Sequence, residues 1–186
     1  MNPLHEGKKS VLVVVDAQVG VMRNVWEADR VIKNINVAVE KARSQGVPVI
    51  WVQHSDDELV HGSPDWALVP EVSPNEGEYR IYKHYNSSFE KTSLQETLAK
   101  HGATHIVLAG AATNWCVRAT AYGALDRGYD LTLIKDAHST ETIEFEDGTT
   151  IEAVDIIREL NVVMQWLSYP DRVNDTQSAE EIEFSS

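Results

Sequence analysis

The sequence predicts an α/β protein, a three-layer α/β/α fold built on a mainly parallel sheet. Three observations lead there: short β-branched apolar runs with little polar alternation, amphipathic helical stretches between them, and glycines where those helices should stop. A strand covered by helices on both faces has no wet side, so its apolar run is continuous. Strand and helix in alternation imply right-handed crossovers, and sheets of this kind bind ligands at the carboxyl ends of their strands.

The elements follow in order. SVLVVV, residues 10–15, is the first strand and runs straight into Asp16. ADRVIKNINVAVEKARSQG then places Val31, Ile35, Val39 and Ala42 on one helical face, with Gly46 as the stop. Residues 47–53 form the second strand. A long connection, residues 55–82, carries Pro64, Pro70, Pro74 and Gly77, and a loop of that length is functional or disordered. In EYRIYKHYNSSF, which follows, alternation does not decide whether Arg80 and Tyr82 or Ile81 and Lys83 face inward. Residues 92–102 read as a helix with Thr92 and Gln95 at capping-box spacing. A third strand at 105–109 leads into a helix from about Asn114 to Arg127, ahead of Gly128. Residues 130–134 form a fourth strand, 138–148 a polar surface loop without a recognisable motif, 149–160 a helix and 162–164 a fifth strand.

The chain of 186 residues reads as one domain, with a core over about 9–168 and an acidic segment, 171–186, expected to be solvated and partly disordered. Acidic side chains number 29 against 16 basic, a formal net charge of -13, which argues against nucleic acid or an anionic membrane surface as partner. The apolar runs are far shorter than the roughly 20 residues of a membrane span. Cys116 is the only cysteine, so no intramolecular disulfide forms; with no secretion-type amino-terminal pattern, a cytoplasmic setting is expected.

Three positions carry chemistry. Asp16 emerges at the carboxyl end of the first strand. Cys116 lies in the first turn of the helix after the third strand, where free N–H groups and the helix dipole favour a thiolate. Lys83 sits among Ile81, Tyr82 and Tyr85, an apolar and aromatic setting unlike a solvated face. Separately, each has a plain structural reading: a turn cap, a buried thiol, an exposed lysine. Together they supply what a thiol attacking a carbonyl needs, a base and a fixed positive charge.

VLVVVDAQ, IYKHYNSSF and GAATNWCVRATAYGALDRGYDLTLIKDAHS, in this order, resemble the isochorismatase-like cysteine hydrolases over roughly residues 9–165. The most specific match is G-x-x-T-x-x-C-V…T-A…A…G-Y, filled by Gly110, Thr113, Cys116, Val117, Thr120, Ala121, Ala124, Gly128 and Tyr129. The resemblance implies an Asp16–Lys83–Cys116 triad, a cis peptide between Ala111 and Ala112, and an oxyanion hole of the Ala112 and Cys116 N–H groups. It implies a small-molecule substrate, no cofactor and a homo-oligomer, a dimer or tetramer. Gln18, Trp115, Tyr85, Asn86 and Phe89 are the expected substrate-facing residues.

Departures from the family's branches narrow the chemistry. The nicotinamidase branch holds a metal through an Asp-x-His pair and a further His; here QHSDDELVHGS offers His54, Asp56 and His61 in a different order, so no metal is expected. The branch that cleaves the vinyl ether isochorismate often carries glycine in place of the cysteine. Retention of Cys116 therefore favours an amide, carbamoyl or ureide C–N bond over vinyl ether hydrolysis or a catalytically silent binding subunit. Trp26 and Trp66 are left open as lid or subunit contact.

Overall fold

The computed structural model describes residues 8–185. Its centre is a six-stranded sheet with every neighbouring pair parallel, in the order β3-β2-β1-β4-β5-β8. The strands are β1 (Ser10–Val15), β2 (Val49–His54), β3 (Tyr79–Lys83), β4 (His105–Ala111), β5 (Asp130–Ser139) and β8 (Asn174–Gln177). A two-stranded antiparallel hairpin, β6 (Ile143–Glu144) and β7 (Thr150–Ile151), projects after β5. The helices are α1 (Val19–Met22), α2 (Ala28–Ser44), α3 (Leu94–Lys100), α4 (Arg118–Asp126) and α5 (Ala153–Trp166), with a π turn, Thr113–Val117, leading into α4. No helix among the described residues is long and apolar enough to cross a membrane.

Strand periodicity divides the core between two layers. Leu12 and Val14 of β1 join Trp51 and the predicted α2 stripe, Val31, Ile35, Val39 and Ala42, on one face. Val11, Val13 and Val15 join Leu94 and Leu98 of α3, Ala121 and Ala124 of α4, and Leu160 and Met164 of α5 on the other. Both predicted glycine stops are observed: Gly46 and Gly128 have φ of 69° and 94°, and the next N–H of each, Val47 and Tyr129, donates back to Ala42 O and Ala124 O.

Several readings of the elements need correction. The triplet 162–164 is not a strand: it lies in α5, with Met164 buried and Val162 exposed. The sheet's outer strand is instead β8, drawn from the segment read as a solvated tail, and Ala179 and Ile182 beyond it are buried. That strand is polar because it is an edge, where only one side of the ladder is filled.

The connection 55–82 ends in another edge strand, β3, whose alternation resolves with Ile81 and Lys83 inward. Its entry is fixed by Glu78, which accepts from Arg43 Nε and Nη2, Trp51 Nε1 and Asn75 N. The capping box at Thr92 and Gln95 does not form. Thr92 Oγ1 donates to Ser88 O and accepts from Leu94 N, while Gln95 accepts from Arg127.

Candidate active site

The sheet order places a crevice between β1 and β4. The chain runs outward from β1 through β2 and β3, then returns to the other side of β1 as β4. Strand ends diverge at such a reversal, which opens a site at their carboxyl edge. Asp16 follows β1, and Ala112 with Cys116 follow β4, on its two sides. Lys83 ends β3, two strands away, in register with His54 at the end of β2. With strands about 4.8 Å apart, only a long side chain reaches Asp16 from there, which is a physical reason for lysine at that position.

Local backbone geometry delivers each group. Asp16 leaves the strand with φ 50°, its N–H still donating to Val52 O. Gly110 has φ 127°, and a Cβ on it would lie 1.9 Å from Val15 O, so β4 can approach β1 this closely only as glycine. The peptide between Ala111 and Ala112 is cis. Ala112 O then accepts from the N–H groups of Trp115 and Val117, forming the π turn that carries Cys116.

The three expected catalytic side chains meet. Lys83 Nζ donates to Asp16 Oδ2 at 2.7 Å and to Cys116 Sγ at 3.1 Å. Its third bond goes to His54 Nδ1 at 3.2 Å. Lys83 and Asp16 are each 1 % exposed, and Asp16 Oδ1 is buried with no hydrogen-bond partner. Asp16 Oδ2, His54 Nδ1 and Cys116 Sγ thus surround one ammonium, and the ligand atoms that Asp16, His54 and Cys116 offer lie within 4.8 Å of one another.

Electrostatics set the resting protonation. Burial pushes the Asp16 carboxyl above its ordinary value, with Lys83 opposing that rise. Burial, with the Asp16 charge adding to it, pushes the Cys116 thiol up to about 12, against the pull of Lys83. The expectation of a preformed thiolate at a helix start is therefore corrected. Desolvation, with the Asp16 charge beside it, outweighs the one cation. Cys116 rests as a thiol beside a carboxylate that is a stronger base than an exposed one.

The expected substrate-facing residues divide. Trp115 is 59 % exposed and lines a cavity of about 330 Å³ with Ala112, Asn114, Thr140, Glu141 and Ile143. Tyr85 and Asn86 are exposed, with Lys91 Nζ 5.4 Å from the Tyr85 ring centroid. Phe89 instead belongs to the core, 6.1 Å from the Tyr129 ring and beneath Arg127. Gln18 is also buried, and its amide is fully engaged: Nε2 donates to His54 O and Trp66 O, and Oε1 accepts from His54 N. It ties the end of β2 to the long connection. Trp26 and Trp66 are held likewise, Trp26 N–H donating to Thr140 O and the Trp66 ring lying 4.2 Å from His61.

Sequence reasoning missed His138, inside the stretch read as a featureless loop. It belongs to β5 and is fully buried, with Nε2 donating to Asn161 Oδ1 and Nδ1 accepting from Thr113 Oγ1 at the start of the π turn. The sequence signal was weak, since Lys135, Asp136 and Ala137 separate His138 from the apolar run 130–134, and the shift of register after Leu108 that accompanies the longer β5 is not visible in composition.

With this geometry in hand, comparison with known proteins decides the family. The isochorismatase domain model matches residues 10–163. The chain belongs to the isochorismatase family. Among its isochorismatase relatives, the secreted isochorismatase effector Isc1 of Verticillium dahliae is 34% identical over 78% of this chain and 80% of that protein. The ureidoacrylate amidohydrolase RutB of Klebsiella pneumoniae is 32% identical over 58% of this chain and 59% of that one. A crystal structure of an isochorismatase from Pseudomonas putida KT2440 superposes with a TM-score of 0.84 at 27% identity, covering 96% of this chain and 94% of the other. The family match runs from β1 into α5 and ends at residue 163, so the edge strand β8 lies beyond the matched residues.

Proposed function

We propose that this protein is a cysteine hydrolase that cleaves the C–N bond of a small amide, carbamoyl or ureide substrate through a thioester. The observation that carries this reading is the single ammonium of Lys83 bonded to both Asp16 and Cys116, with a second Asp16 oxygen buried and unpartnered. Asp16 takes the Cys116 proton as sulfur attacks the carbonyl carbon, so charge moves from carboxylate to thiolate beside a fixed cation and the site stays neutral overall. The oxyanion rests on the N–H groups of Ala112 and Cys116. Protonated Asp16 returns the proton to the leaving nitrogen, and the same carboxylate then activates the water that hydrolyses the thioester.

The cavity beside Ala112 and Trp115 supports a small substrate. Its lining contains Glu141 and neither lysine nor arginine, which suits a neutral or cationic amide better than an anionic one. A relative named as an amidohydrolase supports the bond type.

The test is a panel of small amides, carbamates and ureides scored by release of ammonia or amine, with Cys116→Ala and Asp16→Asn in parallel. At least one compound is expected to turn over, with about a thousandfold or greater loss of rate in both variants. Near-normal rates in Asp16→Asn would sink the scheme, and a thioester adduct 1:1 with protein, seen by intact mass in a rapid quench, would support it.

A further inference from the structure

Lys83 has three N–H donors, and the triad engages only two of them. The third faces His54 Nδ1 at 3.2 Å. An ammonium only donates, so Nδ1 must accept, and the imidazole proton must therefore sit on Nε2. That assignment agrees with the other side of the ring, where Nε2 lies 3.1 Å from Asp56 Oδ2. Asp56 is itself fixed: its other oxygen, Oδ1, accepts from Glu58 N at 2.9 Å and Leu59 N at 2.7 Å, and these bonds help hold its carboxyl below the ordinary value. His54 is held from behind as well, because Gln18 grips its backbone N–H and carbonyl.

From this chain of contacts we infer that His54, oriented by Asp56, is a positioning residue that fixes the tautomer and the third hydrogen bond needed to aim the Lys83 ammonium at Asp16 and Cys116. The inference rests on the proposed role of the triad and adds a fourth and fifth side chain to it. Without His54 the ammonium keeps two acceptors and loses the third that fixes its orientation; it rotates or draws back, and the developing thiolate loses its counter-charge. With the other tautomer, Nδ1–H would point at an ammonium, donor against donor, with the same outcome.

Two isosteric contrasts separate this role from a merely structural one. Asn places its carbonyl oxygen near the position of Nδ1, whereas Gln places it nearer that of Nε2, so His54→Asn keeps the acceptor and His54→Gln does not. Asp56→Asn can still accept from the Glu58 and Leu59 N–H groups but turns an amide donor toward Nε2, favouring the wrong tautomer. The readout is the rate of Cys116 alkylation by iodoacetamide at pH 8, followed by intact mass. With Lys83 mispositioned, His54→Gln and Asp56→Asn should each slow alkylation about tenfold, while His54→Asn stays near the wild-type rate.

A second measurement is independent of reactivity. Nitrogen-15 shifts of the imidazoles, with the His54 signals identified by their loss in His54→Asn, should show the Nε2–H tautomer in the wild type and the Nδ1–H form in Asp56→Asn. A wild-type Nδ1–H tautomer overturns the inference, as does equal alkylation of His54→Asn and His54→Gln. Lys83→Met distinguishes the two levels of argument. If it alkylates like wild type, the proposed triad itself fails; if it is slowed and the His54 variants are not, only the role of His54 fails.

Discussion

At the residue scale the question is how a thiol raised to about 12 can serve as a nucleophile. In the proposed mechanism the pairing with Asp16 answers it, because the carboxylate that raises the thiol would also be the base that removes its proton. The sign of each contribution gives a test. Alkylation of wild-type protein should keep rising with pH, about tenfold per unit, through pH 10, with no plateau near the free-thiol value. Asp16→Asn removes the charge that disfavours thiolate and should shift the profile to lower pH; Lys83→Met removes the charge that favours it and should shift the profile up. Asp16→Asn is then a variant with a more acidic thiol and no turnover, an outcome that separates thiolate supply from base catalysis. A profile in that variant shifted upward would contradict the arrangement of charges. That Asp16, Lys83 and Cys116 converge was legible in the sequence because each sits at a strand end or helix start, where position implies direction. Gln18 and Phe89, expected to face substrate, are buried, because sequence adjacency to the triad says nothing about which way a side chain turns; His54 was left without a role because its contact with the Lys83 ammonium comes from another strand.

At the element scale the site depends on how closely β4 packs against β1. Gly110 combines a φ of 127° with a position where a Cβ would meet Val15 O at 1.9 Å, and the obstacle is backbone rather than a flexible side chain. Gly110→Ala must therefore separate the two central strands or distort the turn that follows. A loss of about 3 kcal/mol or more in urea unfolding is expected, together with loss of Cys116 reactivity in whatever protein folds. Wild-type stability in that variant would mean that the approach is not obligatory. The central strands were legible because burial on both faces leaves continuous runs such as VLVVV. The edge strands were not: β3 has one inward row, Ile81 and Lys83, and β8 is NDTQ, which no propensity argument assigns to a sheet. Conversely, Val162, Val163 and Met164 satisfy strand composition while lying on a helix, because three residues cannot reveal which period they obey.

At the scale of the whole molecule, the polar edge strand is held by a hydrogen-bond relay across the amino-terminal half of the sheet. Ser10 Oγ donates to His105 Nδ1, His105 Nε2 donates to Thr132 Oγ1, and Thr132 Oγ1 donates to Asp175 Oδ1, linking β1, β4, β5 and β8. Ser185 N also donates to Ser10 Oγ, which closes the carboxyl-terminal segment onto β1. Each donor finds an acceptor only if His105 is neutral with its proton on Nε2. Burial accordingly pushes His105 down to about 3, and His138, beneath the π turn, down to about 4. For a group whose folded value is depressed, the unfolded chain binds the proton first. The stability it contributes is complete above the unfolded value of 6.5 and is lost as pH falls from there toward the folded value. Asp16 acts in the opposite sense, since its raised value favours the folded state on protonation, but it is one group against two. Between pH 6.5 and about 4 the two histidines together should remove about 2.7 kcal/mol of unfolding free energy per pH unit at most. His105→Gln, which retains polar contacts without a titrating ring, should remove about half of that slope. Urea unfolding at half-unit steps from pH 7 to 4 measures both slopes. Equal slopes in wild type and His105→Gln would show that the relay does not hold a neutral imidazole, and that β8 is kept on the sheet by other contacts.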